Sequence, residues 1–548
     1  MPVRIEINGK SLTTEKGPSV FDCAERVDVR VPTSCRKQGR CRECIVEVQE
    51  GMECLSPRTE EEAHLTENYR LSCRARIVAD EGHLRCHTMR RGSLKIETRG
   101  RHLPGVAGQV ELDPAVTRDG SRVLLDGEEI AQSDDPIYGL AVDLGTTTVV
   151  MWLIDLETGD MVASQAFENP QAFGGSDVMS RIRYDTDHGE GILQRTLLAY
   201  MRHVIDELPC KSRDIYEMII TGNATMRDMF FGLSVYSIGQ TPYRSITELE
   251  NKDGKRRTTA LSENPRKFAL PMHPNGRVYG LPLISGHVGA DTAACLLAIN
   301  MQHEERLVAL MDIGTNTELL VGNKEQILCT SCPAGPAFEG GELSCGMPGL
   351  EGAIERVKIE DDGTVRISVI GDINPVGICG SGLVDTIGEL LRTERMDRLG
   401  RFSKPGEPFW LDKENHIFLE EKDVSLLAQA KGANITGVRL VLRKYGIDFN
   451  DLDVFYLAGG FAKHLDIDAA RRMGLIPNIP AEKIIQVGNA SIEGAAVALK
   501  SVKRRRELED AILNATHVRL ETDPEFFDYF VEGCQYYPAD TAEVPIVT

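Results

Sequence analysis

The sequence predicts a small cysteine-rich α+β domain followed by a larger, internally duplicated α/β domain. Two observations lead to this prediction. Seven of the fourteen cysteines lie in the first 92 residues, which carry a net charge of +1, whereas residues 93–548 carry −22. In the larger part, a strand–turn–strand pattern containing Asp-x-Gly-Thr occurs twice, 169 residues apart. Because that spacing is about the length of one domain, we expect two related halves.

Composition and charge exclude several classes of protein. The chain has 548 residues and a net charge of −21, whereas a general nucleic-acid binder needs a basic surface. No apolar run reaches about 18 residues, the length of a membrane-spanning helix. The N-terminus reads as a strand and lacks the apolar core of a signal peptide. We therefore expect a cytoplasmic protein without nucleic-acid or membrane partners, whose cysteines serve thiol chemistry or metal ligation.

Alternation and capping signals predict the elements of the N-terminal domain. Residues 3–7 alternate apolar and polar side chains up to a turn at Asn8-Gly9, which indicates a hairpin. Ser19 can cap a following helix. Residues 45–48 are typical of a further strand. Hairpin, helix and strands within a hundred residues indicate a small α+β fold.

Four cysteines of this domain have the spacing of cluster ligands. Cys35, Cys41, Cys44 and Cys73 follow the pattern C-x5-C-x2-C-x28-C. Three ligands on one loop and a fourth from a distant segment are typical of a ferredoxin-like domain around a [2Fe–2S] cluster. A Cys₄ zinc site is the alternative, although such sites more often contain two CxxC pairs. The spacing favours the cluster.

Basic residues surround the first three of these cysteines. Arg36, Lys37, Arg40 and Arg42 lie in the same loop. A solvated basic loop is the interpretation that we favour. The alternative is that their charge stabilises the reduced cluster and raises its potential.

A second group of cysteines lies in the larger part of the chain. These are Cys329, Cys332, Cys345 and Cys379, in or near glycine-rich segments. They could hold a second cluster or a metal, but the surrounding sequence favours buried thiols.

Residues 93–136 read as a structured connector. They contain several glycines and prolines and no sustained apolar period, with short strands predicted at 110–112 and 123–125.

The two Asp-x-Gly-Thr turns have the residues of phosphate-binding hairpins. The glycine lets a phosphate approach the backbone N–H groups, the threonine hydroxyls donate further hydrogen bonds, and the aspartate holds Mg²⁺ through its waters. One hairpin in each half would allow the two halves to close on ATP. The predicted residues are Asp143, Gly145, Thr146 and Thr147 in the first hairpin and Asp312, Gly314, Thr315, Asn316 and Thr317 in the second.

This duplication resembles the superfamily of acetate and sugar kinases, Hsp70 and actin, which has an RNase H-like fold. Residues 454–460 form a buried strand that ends in Gly459-Gly460, similar to the superfamily's adenosine motif. Residues 377–382 resemble one of its connecting segments. The resemblance implies that Gly459 and Gly460 lie against adenosine and that Asp143 and Asp312 are Mg²⁺ partners. Glu318 and Asn223 are candidates for positioning water, or are satisfied polar groups beside the cleft.

Residues 31–44 resemble the plant and adrenodoxin-type ferredoxins, which have a β-grasp fold. A [2Fe–2S] domain joined to an actin-like ATPase resembles the reductive activators of corrinoid proteins. Segments 220–226, 282–291 and 333–340 are also similar to that family. The resemblance implies ATP-dependent transfer of one electron from the cluster to Co(II) of a corrinoid protein of a methyltransferase system, which regenerates Co(I). It further implies a low-potential donor of the ferredoxin or flavodoxin type, and a homodimer is among the assemblies that it leaves open.

Three other functions remain open at this point. An activator of 2-hydroxyacyl-CoA dehydratases resembles the larger part but binds a [4Fe–4S] cluster between subunits and lacks the N-terminal domain. A small-molecule kinase with a sensory ferredoxin domain is the second. A nucleotide-switched actin-like or chaperone-like binding module is the third.

These patterns divide the chain into five parts. We expect a ferredoxin-like domain at 1–92, a connector at 93–136, ATPase subdomains at 137–306 and 307–500, and an extension at 501–548. The extension should contain a strand and an acidic-aromatic helix that packs on the ATPase. After Pro538 the sequence predicts disorder.

The cysteine assignment predicts the iron content of the purified protein. If only the N-terminal quartet binds a cluster, iron analysis should give two irons per chain. A higher content would contradict the assignment of Cys329, Cys332, Cys345 and Cys379 as thiols.

Overall fold

The computed structural model describes residues 2–90, 110–460 and 462–543. Contacts divide the chain into two compact units. The described parts of unit 1 lie within residues 1–101, 111–281 and 499–502, and those of unit 2 are residue 110 and parts of 282–498 and 503–548. Of the helices in these described ranges, none is both long and apolar enough to cross a membrane.

The N-terminal domain is the predicted α+β fold. Its five-stranded sheet has the order β2-β1-β5-β3-β4, in which β1 and β5 are parallel and the other neighbours antiparallel. Ser19 caps the helix as predicted, and its hydroxyl accepts the Asp22 N–H while the Asp22 carboxylate accepts from Ser19. The elements are β1 Val3–Ile7, β2 Lys10–Thr14, α1 Val20–Arg26, β3 Ile45–Glu50, β4 Tyr69–Leu71 and β5 His83–Thr88.

The described part of the connector forms a small antiparallel sheet. Its strands are β6 Val116–Asp119, β7 Arg122–Leu125 and β8 Glu128–Gln132. The strand expected at 123–125 is part of β7. The strand expected at 110–112 is absent, and residues 93–109 lie outside the described residues.

The rest of unit 1 is built on a six-stranded sheet of order β11-β10-β9-β12-β14-β13. Central strands β9 and β12 are almost wholly buried because helices cover the sheet. The elements are β9 Tyr138–Leu144, β10 Thr148–Asp155, β11 Met161–Glu168, α2 Val178–His188, α3 Ile192–Asp206, β12 Ile215–Gly222, α4 Ala224–Phe231, α5 Ile246–Lys252, β13 Leu261–Glu263 and β14 Arg277–Gly280.

Unit 2 contains a second six-stranded sheet, of order β24-β23-β15-β16-β17-β25, and two small sheets, β19-β18-β20 and β21-β22. Its elements are α6 Ala290–Ala298, β15 Val308–Ile313, β16 Asn316–Gly322, β17 Ile327–Pro333, β18 Ala353–Ile359, β19 Val365–Val369, β20 Gly377–Ile378, α7 Gly380–Arg392, β21 Phe409–Asp412, β22 Ile417–Leu419, α8 Glu421–Tyr445, β23 Val454–Ala458, α9 Ile467–Arg472, β24 Ile484–Gly488, α10 Ala490–Lys500, α11 Val502–Asn514, β25 Ala515–His517 and α12 Phe526–Gly533, with the last residues of α10 and the first of α11 in unit 1.

The two large sheets share one plan, which confirms the predicted duplication. In unit 1, β9, β10 and β11 form an antiparallel meander and β12 joins β9 in parallel. In unit 2, β15, β16 and β17 form the same meander and β23 joins β15 in parallel. Each predicted hairpin is therefore the first turn of its meander.

Four residues near the C-terminus belong to unit 1 although the segments on either side belong to unit 2. The Lys500 carbonyl accepts from the Asp113 N–H at 2.9 Å, and the Val502 N–H donates to the Asp113 carbonyl at 2.8 Å. The buried Leu499 side chain lies against Gly139, where even a Cβ atom would be only 2.8 Å from it. This short stretch thus completes the packing of β9.

The C-terminal extension is ordered further than expected. Helix α12 packs on α8, and the Ala539 carbonyl accepts from the Asn478 N–H at 2.8 Å. The Ala542 N–H donates to the Asp448 carboxylate at 2.7 Å, and the Ala539 and Ala542 side chains are buried. The predicted disorder is therefore wrong for residues 539–543, because two small apolar side chains fit into the surface of unit 2. Residues 544–548 lie outside the described residues.

A buried lysine ties this extension to the longest helix. Lys431 of α8 is 1% exposed, and its Nζ donates to the carbonyls of Gly533, the last residue of α12, and of Gln535. Burial lowers the pKa of Lys431 to about 7. A neutral amine has two N–H groups, which match these two carbonyl acceptors.

The pH dependence of stability should report on Lys431. Between pH 7 and the usual lysine pKa of 10.5, the unfolded chain holds a proton that the folded chain has released. The free energy of unfolding should therefore rise with pH across that interval, by on the order of a few kcal/mol. Urea unfolding at a series of pH values should show that Lys431→Met removes this rise. Lys413→Met, at an exposed lysine, should keep it, and identical slopes in all three proteins would contradict the assignment.

Candidate functional site

The four predicted cluster ligands lie together as two pairs. The sulfurs of Cys44 and Cys73 are 3.3 Å apart, and those of Cys35 and Cys41 also share a hydrogen bond. Cys41, Cys44 and Cys73 are buried, whereas Cys35 is partly exposed. Within the first of these pairs, Cys73 follows β4, and β4 is hydrogen-bonded to β3, the strand that begins directly after Cys44. Two distant segments thus bring one pair together.

This paired arrangement fits a [2Fe–2S] cluster better than zinc. A [2Fe–2S] cluster has two irons for its four cysteines, whereas zinc needs all four sulfurs at about 2.3 Å from one ion. Among the residues described, no three His, Cys, Asp or Glu side chains converge as ligands of a single ion. The cysteine pairs therefore offer two iron positions rather than one metal position.

The pKa values of two ligands are shifted towards the thiolate form that binds metal. Hydrogen bonding from Cys44 lowers the pKa of Cys73. Burial raises the pKa of Cys35, but the N–H groups of Cys41, Gln38 and Arg40 outweigh it and bring the value to about 7. These N–H groups point at the sulfur because the loop wraps around it, as cluster loops do.

The loop around Cys35 has a backbone that suits glycine better than the residues present. Arg36, Lys37 and Arg42 have φ angles of 53°, 64° and 59°, in the left-handed region. That conformation costs a residue with a Cβ atom about 1–2 kcal/mol. The basic side chains are thus kept at positions where glycine would be less strained.

Two of the four basic side chains are paired within the protein. Lys37 contacts the carboxylates of Asp22 at 3.0 Å and Glu25 at 2.6 Å, and Arg42 contacts Glu190 at 3.0 Å. Arg36 and Arg40 are exposed and form no ion pair with the residues that the structure describes. Only these two therefore present uncompensated positive charge beside the partly exposed Cys35.

The second group of cysteines does not form a site. Cys329 and Cys379 lie against the carbonyls of Thr516 and Ile354, and Cys345 lies against that of His416. Cys332 packs against Gly437, and burial raises its pKa. Because each sulfur has a different neighbour, the arrangement supports the prediction of thiols.

In unit 1, the first predicted hairpin is held by two asparagines. Gly145 and Thr146 form the turn after β9, and the half-buried Asp143 lies within that strand. The Thr146 hydroxyl accepts from the Asn223 side chain at 3.1 Å. The Asn169 side chain donates to the Gly145 carbonyl at 2.8 Å, and its backbone N–H donates to the Thr147 carbonyl at 2.7 Å.

Asn223 is occupied by these structural contacts. Besides holding Thr146, it caps α4, where its side-chain oxygen accepts the Met226 N–H at 2.9 Å. The preceding Gly222 has φ = 144°, and a Cβ atom there would be 2.7 Å from the Leu144 carbonyl oxygen. This close approach places the start of α4 against the hairpin, so Asn223 has the geometry of a positioning residue.

In unit 2, the second predicted hairpin has matching features. The Gly314 N–H donates to the Asn316 carbonyl at 3.1 Å, and the Gly335 N–H donates to the Thr315 carbonyl at 2.9 Å. The Thr315 hydroxyl donates to Glu339 at 2.6 Å. Thr317 is fully buried, and its hydroxyl has no hydrogen-bond partner among the described residues.

Gly459 corresponds to Gly222 in the repeated plan. It has φ = 119°, and a Cβ atom would be 2.4 Å from the Ile313 carbonyl oxygen. At Gly460, an added Cβ atom would meet nothing within 4 Å. The first glycine is therefore required for packing, and the second leaves an open surface.

Three carboxyl groups meet beside the second hairpin. Asp312 and Glu318 are direct cross-strand partners in β15 and β16, and Asp291 of α6 is close enough for its charge to act on Glu318. Burial, together with the charges of Asp291 and Asp312, raises the pKa of Glu318 well above its usual value. The Cys295 thiol donates to Asp312 at 3.3 Å. Like charges directly opposite each other are unfavourable unless a proton or a cation is shared.

Four residues of these sites were not singled out from the sequence. Glu339 lies in a family-like segment, and Asn169 directly follows β11 in an Asn-Pro turn that signals a strand end. Asp291 and Cys295 reach Asp312 only through the folding of α6 onto the sheet. No local pattern signals that contact.

Matches to known families cover most of the chain. Residues 5–78 match the 2Fe-2S iron-sulfur cluster binding domain. Residues 138–304 match the RACo middle region, and residues 306–548 match the C-terminal domain of RACo, the ASKHA domain.

Two curated proteins and one solved structure are similar over most of their lengths. The corrinoid activation enzyme RamQ of Eubacterium limosum is 34% identical over 74% of this chain and 71% of its own. The [Co(II) methylated amine-specific corrinoid protein] reductase of Methanosarcina barkeri is 25% identical over 75% of this chain and 79% of its own. The solved structure of a reductive activator for corrinoid, iron-sulfur protein aligns with a TM-score of 0.70 and 26% identity over 97% of this chain and 98% of that one. The chain therefore belongs to the family of corrinoid activation enzymes that the sequence resemblance indicated.

Proposed function

We propose that this protein uses ATP to reactivate a corrinoid protein of a methyltransferase system by reducing its cobalt from Co(II) to Co(I). One electron leaves a low-potential donor, resides in the N-terminal domain, and is added to the cobalt. The observation that carries the proposal is the presence, in one chain, of two cysteine pairs and a duplicated hairpin typical of ATPases. The names of the similar proteins support the corrinoid partner.

The cysteine quartet would hold the electron carrier. When bound, a [2Fe–2S] cluster supplies storage of a single electron. Cys41, Cys44 and Cys73 keep their sulfurs away from solvent, and Cys35 leaves one edge of the site accessible. Since electron transfer needs a short path, we assign this edge to docking of redox partners.

The hairpins would hold the nucleotide. Gly145, Thr146 and Thr147 are assigned to phosphate contacts in unit 1, as are Gly314, Thr315 and Asn316 in unit 2. The unpartnered hydroxyl of Thr317 fits the same role. The open surface at Gly460 supports an adenosine contact.

We assign Mg²⁺ to the carboxylates of the hairpins, with Asp143 in unit 1 and Asp312 in unit 2. A divalent cation near Asp312 would offset the repulsion among Asp312, Glu318 and Asp291. Its raised pKa makes Glu318 a stronger base than an exposed carboxylate, so Glu318 is a candidate to position the attacking water or to take up its proton.

ATP is needed because the cobalt reduction is unfavourable for ordinary donors. A ligand shifts a conformational equilibrium only by its difference in affinity for the two states. Binding of ATP would favour a complex in which Co(II) has lost an axial ligand and is easier to reduce. The match to a 2Fe-2S domain separates this proposal from an activator of 2-hydroxyacyl-CoA dehydratases.

A reduction assay tests the proposed function. Reduced protein is mixed with a Co(II) corrinoid protein with and without Mg-ATP, and the absorbance of Co(I) is followed. We expect ATP-dependent Co(I) from the native protein and none from Cys73→Ser. The matched control Cys54→Ser changes a buried thiol outside the quartet and should retain activity. Failure to form Co(I) with a loaded cluster and several corrinoid proteins would refute the proposal.

The charge at the cluster edge predicts how an electron donor docks. Arg36 and Arg40 should attract an acidic donor of the ferredoxin or flavodoxin type. The double variant Arg36→Glu/Arg40→Glu should lower the second-order rate of reduction by flavodoxin about tenfold or more at low ionic strength. The difference should shrink as salt is added, because salt screens exposed charges.

Two comparisons make this prediction specific. Lys37→Gln and Arg42→Gln remove charges that are already paired, so they should change the rate much less. The midpoint potential of the cluster is measured in each variant, because an effect on donor docking leaves the potential unchanged whereas an effect on cluster tuning shifts it. A shifted potential without any salt-dependent difference in rate would support tuning of the cluster and contradict the docking role.

A further inference from the structure

Within unit 1, residues 169–184 contact both the first hairpin and the ferredoxin-like domain. They follow β11 and include the first part of α2. Asn169 lies at one end and Tyr184 at the other, with Phe173 between them. All three belong to the same compact unit as the cysteine quartet.

At the hairpin end, Asn169 fixes the direction of the backbone. Its side chain and its N–H hold the carbonyls of Gly145 and Thr147. In a trans peptide group the C=O and N–H bonds point in opposite directions. Holding the Gly145 carbonyl therefore turns the Thr146 N–H, in the same peptide group, away from Asn169. Asn169 is 1% exposed, so the hairpin and this side chain can move only together.

At the other end, Phe173 packs between two tyrosines. Its ring is 6.4 Å from that of Tyr69 in the ferredoxin-like domain and 5.5 Å from that of Tyr184, both edge-on. The Tyr184 hydroxyl donates to the His64 carbonyl at 3.0 Å. Tyr69 begins β4, which leads to Cys73 and pairs with the strand after Cys44. Only the short strand β4 and one further residue thus separate the Tyr69–Phe173 contact from Cys73 of the buried Cys44–Cys73 pair.

Between these ends the chain is held by a series of hydrogen bonds. The Gln171 N–H donates to the Asn169 side chain at 3.0 Å, and the Gly174 N–H donates to the Gln171 carbonyl at 2.9 Å. Gln171 is fully buried and donates to the Leu193 carbonyl at 3.2 Å. Arg181 ties α2 to the Gly175 carbonyl at 3.0 Å. A displacement of Asn169 is therefore passed on to Phe173 rather than absorbed.

The docked ferredoxin-like domain is held by contacts of unequal strength. The Met89 N–H donates to the buried Tyr200 hydroxyl at 3.0 Å, and Arg90 pairs with Glu207 at 2.7 Å, whereas other contacts are weaker. The ion pairs of Arg30 with Asp206 and of Arg42 with Glu190 are largely exposed, and such pairs contribute about 0–1 kcal/mol. His64 is buried at this contact, and at least one of its ring nitrogens has no hydrogen-bond partner among the described residues. An unsatisfied buried polar group opposes the docked state. Small displacements at Phe173 can thus change how firmly the domain is docked.

We propose that residues 169–184 couple nucleotide binding at the first hairpin to docking of the ferredoxin-like domain, with Asn169 and Phe173 as the positioning residues. The inference rests on the nucleotide site of the proposed function but not on the corrinoid partner. By linkage, the factor by which nucleotide changes the docking equilibrium of the domain must equal the factor by which docking changes the affinity for nucleotide.

Hydrogen–deuterium exchange of the holoprotein tests the coupling. Exchange is compared with and without Mg-ATP or its non-hydrolysable analogue, in peptides that cover residues 60–72 and 143–175. We expect nucleotide to change exchange in both regions, by about fivefold in residues 60–72. Tyr184→Phe removes only the hydrogen bond to His64 and should at least halve the response of residues 60–72. Phe173→Ala should abolish it, with the response of the hairpin intact.

The controls distinguish the possible failures. Arg30→Ala weakens the same domain contact away from residues 169–184 and should keep the nucleotide response. If calorimetry shows no nucleotide binding and exchange in the hairpin does not change, both the proposed function and the coupling are refuted. If nucleotide binds and the hairpin responds while residues 60–72 do not, the coupling alone is refuted. An unchanged response in both Tyr184→Phe and Phe173→Ala would also refute it.

Discussion

The close approach of one glycine to one carbonyl group, made once in each unit, sets the geometry of both predicted hairpins. Gly222 lies against the Leu144 carbonyl and Gly459 against that of Ile313, each with a φ angle that side chains disfavour. These contacts let the parallel strands β12 and β23 end beside the hairpins. Asn223 can then reach Thr146, and Gly460 remains uncovered. A methyl group at either glycine would push the strand end and the hairpin apart.

Much of the fold and part of the site were predictable from local sequence. The spacing of Cys35, Cys41, Cys44 and Cys73 predicted the quartet because a cluster loop requires three ligands close in sequence. The duplication was readable because its hairpin residues are contiguous. The pairing of the cysteines into two groups could not be predicted from local sequence, because it depends on how β4 lies against β3. The spacing favoured a cluster over zinc, and the pairing adds a structural reason that local sequence does not contain.

Charge was harder to interpret than fold. Four basic residues in one loop looked equivalent in the sequence, yet Lys37 and Arg42 are neutralised by carboxylates 12 to 148 residues away. Asp291 joins Asp312 and Glu318 only after α6 folds against β15 and β16. Lys431 lies in a long helix whose sequence gives no sign that the extension will bury it. In each case the partner comes from a distant segment, and local pattern carries no information on it.

Residues 499–502 pack with unit 1, and this affects the order in which the two units can fold during synthesis. Gly139 lies in the earlier part of unit 1, but Leu499, which covers it, is made about 360 residues later. During synthesis the face of β9 at Gly139 stays uncovered until nearly all of unit 2 has emerged. The two units therefore cannot mature strictly one after the other. Nor can a single cut in the chain separate them into two complete polypeptides.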